Sequence, residues 1–142
     1  MIVIVVKDKR YNIYYVIAAD IARRTPDQKI EKIIEYCRMY TIAGFAFEKN
    51  QFQEIMLDNL TKRALTSGVP FNKRPINSQA NKQARIEGLE TLVTQGLIVF
   101  SRRHQILLEQ LRQFPLGKHD DGPDALEMAI QVARYKLGRV SY

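Results

Sequence analysis

The sequence predicts an α/β fold: a mixed β-sheet flanked by helices, forming one domain over residues 1–142. Three observations lead there. Two apolar runs near the N-terminus flank a polar turn, later apolar segments alternate between strand-like and helical spacing, and several helical segments carry recognisable start or stop residues.

Ile2 to Val6 is β-branched throughout, and after the polar Lys7 to Arg10 a second run, Tyr11 to Ala19, is again rich in Tyr, Ile and Val, which predicts a hairpin. The near-continuous apolar character of both runs predicts strands covered on both faces. Thr25, Pro26 and Gln28 supply a cap, a first-turn proline and a capping-box partner, and Ile30, Ile33, Ile34, Cys37 and Tyr40 then repeat at helical spacing. Thr41 to Phe47 reads as a short buried strand that stops where Glu48, Lys49 and Asn50 bring in charge and polarity. Asn50 and Gln53 form another capping signal, and Phe52, Ile55, Met56 and Leu60 mark a helix that Gly68 can terminate. A strand is predicted within Val69 to Ile76, a helix over Ala80 to Gln95 with Gly96 as its stop, a strand over Leu97 to Phe100 and a helix over Arg103 to Phe114. Pro115 to Gly122 reads as a loop, and Pro123 as the opening of a last helix with Leu126, Ala129, Ile130 and Ala133 along its apolar stripe.

With 142 residues and 46% hydrophobic content, the chain can bury one core. Its single cysteine, Cys37, cannot form an internal disulfide, and no apolar run approaches the roughly 20 residues that a membrane helix requires. Met1 to Val6 is too short for a secretory signal and leads straight into Lys7, Asp8, Lys9 and Arg10. A soluble protein of a reducing compartment, without a membrane partner, is therefore expected. Lys and Arg number 22 against 15 Asp and Glu, a formal charge of +7, which favours polyanionic partners by phosphate neutralisation and also simply aids solubility.

Two acidic features stand where loops meet regular structure: Glu48 at a strand end, and Asp120, Asp121 and Asp124 around the start of the last helix. Functional groups in open α/β sheets gather beyond strand ends. Asp121 and Asp124 are three apart, hence on one face of a helical first turn. Grouped, these carboxylates suit magnesium or manganese, and two such ions about 4 Å apart support phosphodiester hydrolysis. Each acid also has an ordinary use: Asp121 as a cap, Asp124 as a partner of the helix dipole, Glu48 as an exposed strand end. Cys37 falls on an apolar stripe, as an inert core cysteine does. His104 and His119 lack cysteine partners for zinc, and no glycine-rich phosphate loop occurs, which disfavours a zinc enzyme or an ATPase. Lys82 and Arg85 on one helix face, and Arg102, Arg103 and His104 after a strand, are candidate phosphate contacts, with solvated surface as their plainer reading.

The order of these features resembles a known family. A hairpin, a helix, a strand ending in Phe47-Glu48-Lys49-Asn50, Lys82 with Arg85-Ile86, the segment Gly96 to Phe100, Leu111 to Phe114, and His119-Asp120-Asp121-Gly122-Pro123-Asp124-Ala125 are similar to the nuclease domain of phage and prophage terminase large subunits. The resemblance covers nearly the whole chain and is most specific at Glu48 and at the acidic segment ending in Ala125. It implies a ribonuclease-H-like fold that cuts concatemeric viral DNA with Mg2+ or Mn2+. Glu48, Asp121 and Asp124 would be catalytic and metal-binding, Asp120 a neighbouring ligand, and Lys82, Arg85, Arg102 and Arg103 would contact double-stranded DNA. Other terminase subunits and the portal are the partners implied, in the cytoplasm of a bacterial host. The family's first-strand metal-binding aspartate has no counterpart, because the chain begins inside what the resemblance makes the second strand and neither Asp8 nor Asp20 matches its place. Weak or absent isolated activity is therefore expected. A junction-resolving nuclease of the same broad fold and a non-catalytic DNA-binding or assembly module are the alternatives.

Overall fold

The computed structural model describes residues 2–48, 54–76 and 81–134. They form two compact units: one built from residues 2–21 and 81–134, the other from residues 22–48 and 54–76, which lie between them in sequence.

The first unit opens with β1 (Ile2–Asp8) and β2 (Ile13–Asp20), the expected hairpin, paired antiparallel. Its turn is held by Asp8, whose carboxylate accepts from the Arg10 N–H at 3.0 Å, and by Asn12 at φ 53°, a left-handed conformation that asparagine tolerates better than most residues. The register steps between Ile4 and Val5, which pair with Ala18 and Val16, so Ile17 is an extra residue in the manner of a β-bulge. α3 (Lys82–Thr94), β5 (Ile98–Val99), α4 (Gln105–Gln113) and α5 (Asp121–Arg134) complete the unit. β5 joins β2 in parallel, giving a mixed three-stranded sheet of order β1-β2-β5.

The core of this unit comprises Tyr14, Val16, Ile86, Leu89, Ile98, Leu107, Leu126 and Ile130, with Val3, Val5 and Ala133 packed against it. The hairpin is not covered on both faces as its composition predicts: Val6, Tyr15 and Ile17 are exposed. Alternation along β2 buries Tyr14 and Val16 and leaves Tyr15 and Ile17 outside. The aliphatic run reflects β-propensity as well as burial.

In the second unit α1 (Pro26–Met39) begins at the predicted capping box. The Thr25 hydroxyl accepts from the Gln28 N–H at 3.2 Å, and the Gln28 side chain accepts from the Thr25 N–H at 3.0 Å. Ile30, Ile33, Ile34 and Cys37 form its buried face, and it packs on α2 (Glu54–Ser67), which buries Leu60 and Ala64. β3 (Phe45–Glu48) and β4 (Lys73–Ile76) pair in parallel as a separate two-stranded sheet. β3 is shorter than its apolar segment suggests, whereas β4 is the short strand expected within Val69 to Ile76. Phe45 packs against Phe71 with ring centroids 5.3 Å apart, the Phe45 N–H donates to the Asn72 carbonyl at 2.7 Å, and the Asn72 side chain donates to the Ala43 carbonyl at 3.1 Å, so backbone and side chains together tie the two segments. The capping signal at Asn50 and Gln53 lies outside the described residues.

Gly68 and Gly96 end α2 and α3 as predicted, at φ 70° and 73°. In both, the following N–H reaches back five residues, Val69 to Ala64 and Leu97 to Leu92, closing the helix in the glycine-dependent manner.

Candidate acidic and basic cluster on α3 and α5

The Asn81 side chain accepts from the Ala84 N–H at 3.2 Å and fixes the start of α3. Two cations three residues apart, Lys82 and Arg85, then share one face of its first turn. The last helix begins at Asp121, two residues earlier than the proline suggests, because Pro123 fits within the first turn, where its missing N–H costs nothing. The Asp124 N–H donates to the Asp120 carbonyl at 3.0 Å, and the Gly122 N–H donates to the Gln110 side chain of α4 at 2.7 Å. Gln110 thereby satisfies one of the N–H groups that the first turn of α5 cannot pair internally.

These starts bring the two helices together through charge. Lys82 Nζ lies 3.4 Å from Asp120 Oδ2 and 3.7 Å from Asp124 Oδ2. Arg85 reaches Asp124 Oδ1 at 3.7 Å and forms a short charged hydrogen bond with Glu127. Asp124 is only 2% exposed, so its negative charge requires compensation nearby, and both cations provide it. Arg134 also acts on Glu127 through its charge, and Asp121 stands exposed beside the cluster. Burial pushes the Glu127 carboxyl above the ordinary range, and the charge and hydrogen bond of Arg85 oppose that rise.

The predicted site residues are thus distributed as follows. Asp120 and Asp124 meet around Lys82. Asp121 and Asp124, expected on one face, part company: the first is exposed and the second buried. Glu48 closes β3, with its backbone in register with Ile76, and belongs to the other unit. Lys82 and Arg85 engage carboxylates, whereas Arg102 and Arg103 stand exposed in the loop between β5 and α4. Among the described residues, no group of three or more His, Cys, Asp or Glu is disposed to hold a metal ion.

No family model and no curated protein matches the chain.

Glu127 and Gln110 escape the sequence reading. Glu127 was legible in principle: Asp124 and Glu127 repeat the three-residue spacing of Lys82 and Arg85 with opposite sign. Gln110 carries no such signal, since its role depends on how α4 meets α5. Beside the ion pairs, a cavity of about 390 Å3 opens between α3 and α5, lined by Gly88, Leu89, Ile130, Gln131 and Arg134 among others. None of the acids predicted as metal ligands lines it. Cys37 is buried, and burial pushes its thiol above the ordinary value, which removes the thiolate that a nucleophile would need.

Proposed function

We propose that this chain is the ribonuclease-H-like nuclease domain of a viral DNA-packaging terminase, a metal-dependent endonuclease that cuts concatemeric DNA. The observation that carries the reading is the pair of hard carboxylate groups, Asp120 and Asp124, already arranged around one cation, the Lys82 ammonium, in a chain of net charge +7. Carboxylate oxygens are the hard donors that Mg2+ or Mn2+ prefer. Asp120, Asp121 and Asp124 are the residues of this unit that the resemblance makes metal ligands. The bound ions would supply an activated water and stabilisation of the leaving oxygen. Arg102 and Arg103 would position the duplex through its phosphates, and the packaging motor and portal would be the protein partners. No helix among the described residues is long and apolar enough to cross a membrane.

The test is manganese binding by calorimetry for the wild type, Glu48→Ala and Asp121→Ala, with plasmid nicking followed in the same samples. Binding lost in both variants supports the reading; a wild type that binds no manganese defeats it.

A second reading, a non-catalytic DNA-binding or assembly module, draws on a different observation: Arg85, Asp124 and Glu127 clasp α3 to α5, a purpose that needs no metal. Unchanged metal binding and DNA affinity in Glu48→Ala and Asp121→Ala would favour it. A junction-resolving nuclease would instead cut four-way junctions in preference to plasmid.

A further inference from the structure

The three-stranded sheet of the first unit has unlike faces. Tyr14, Val16 and Ile98 enter the core, where residues of α3, α4 and α5 pack on them. Their neighbours along each strand emerge on the other side. Val6 pairs with Tyr15 and Tyr15 with Val99, so one residue from each strand stands abreast across β1, β2 and β5, and the three are 47%, 37% and 41% exposed. An apolar row with an aromatic ring at its centre therefore meets solvent. Lys9 and Arg10 follow Val6 by three and four residues, and Arg102 and Arg103 follow Val99 by the same steps, so each pair lies within about 14 Å of chain from the row. All four are exposed, and the Arg10 guanidinium lies 5.5 Å from the centroid of the exposed Tyr11 ring. Segments 6–10 and 99–103 hold five cations and one acid, Asp8, which Arg10 meets at 3.7 Å.

That charge selects the occupant. A second copy of the chain would set one cationic rim against another, and like charges brought together across an interface are costly. A polyanion whose units carry flat apolar faces complements both features, since bases stack on aromatic side chains while cations hold the phosphates. In a duplex the base faces are stacked on one another, so the ring of Tyr15 has no base to meet. We propose that this face binds single-stranded DNA, with a base stacked on Tyr15 beside Val6 and Val99 and the neighbouring phosphates held by Arg10, Arg102 and Arg103. The inference rests on the DNA-binding part of the reading above and is independent of its metal. It adds a surface for an unpaired strand to arginines that also suit duplex phosphates.

Fluorescence anisotropy with a labelled oligothymidine and with a blunt duplex of the same length tests the surface. Tyr15→Thr keeps a β-branched strand residue and removes the ring; it should weaken oligothymidine binding roughly tenfold and leave duplex binding unchanged. Tyr15→Phe keeps the ring and should bind as the wild type does. The chain contains no tryptophan, so Tyr15→Trp supplies a sole indole, whose emission oligothymidine should quench and duplex should not. Oligothymidine affinity unchanged in Tyr15→Thr, an equal loss for both probes, or an indole emission indifferent to oligothymidine overturns the inference. A wild type that holds duplex and not oligothymidine overturns it too and leaves the nuclease reading standing. Failure to bind either probe removes both the surface and the DNA contact on which it rests. A wild-type dimer in sedimentation that Tyr15→Thr splits, with DNA binding intact, makes the face a contact between copies and overturns the single-strand assignment.

Discussion

Arg85 is the residue on which the α3–α5 clasp depends most. It faces two carboxylates, Asp124 and Glu127, and the first is almost wholly buried. Removing one partner of a buried pair costs more than the pair contributes, because a charge is left without compensation. Arg85→Ala should therefore destabilise the protein by about 3–5 kcal/mol in urea unfolding, far more than truncation of an exposed arginine such as Arg103. Glu127 adds a pH dependence of definite sign. Its folded carboxyl titrates above its unfolded value, so the folded state holds the proton more tightly, and the contribution of Glu127 to stability is greatest below the unfolded value. That contribution is lost as pH rises through the folded value. The stability of the wild type relative to Glu127→Gln should accordingly fall between acidic and neutral pH, and urea titrations of both proteins across that range give the slope directly. Cys37 supplies a simpler check: its buried thiol should react with a thiol reagent much more slowly in the native protein than in urea.

At the scale of elements, the helices owe their boundaries to local chemistry. Thr25→Ala removes the side-chain half of a capping box and should cost about 1 kcal/mol. Gly96 tests backbone conformation alone, since a Cβ added there would meet nothing within 4 Å while φ stands at 73°. Gly96→Ala should cost about 1 kcal/mol from the left-handed backbone without any clash, and thermal unfolding of the two variants separates the contributions. Such boundaries were legible because each rests on one or two neighbouring residues. The strands were less so. Residues Thr41 to Gly44 fall within a predicted strand, yet pairing begins only at Phe45, where the segment comes into parallel register with Lys73. Strand ends depend on a partner distant in sequence, and composition does not reveal where that partner starts or stops.

At the scale of the whole molecule, the +7 charge and the exposure of Arg102 and Arg103 make salt-dependent DNA binding the behaviour to measure. Under the proposed nuclease reading, replacing both arginines with alanine should weaken duplex binding at every sequence and make the slope of log affinity against log salt shallower by about one for each phosphate no longer neutralised. Fluorescence anisotropy over a salt series reads both effects. The sequence by itself determined the α/β character, the opening hairpin, the capped start of α1 and the glycine ends of α2 and α3, because short-range sterics, hydrogen bonding and periodicity decide them. It also pointed to Lys82, Arg85, Asp120 and Asp124, which the structure brings together, and to Asp121, which it leaves exposed. Only the tertiary structure decided that the strands form two sheets in two units, that Asp124 is buried while Asp121 is exposed, and that Lys82 and Arg85 meet carboxylates on α5. The last two outcomes follow from the packing of α3 and α4 against α5, which sets the rotation of each helix about its axis and so chooses which side chain of an acidic pair enters the interior.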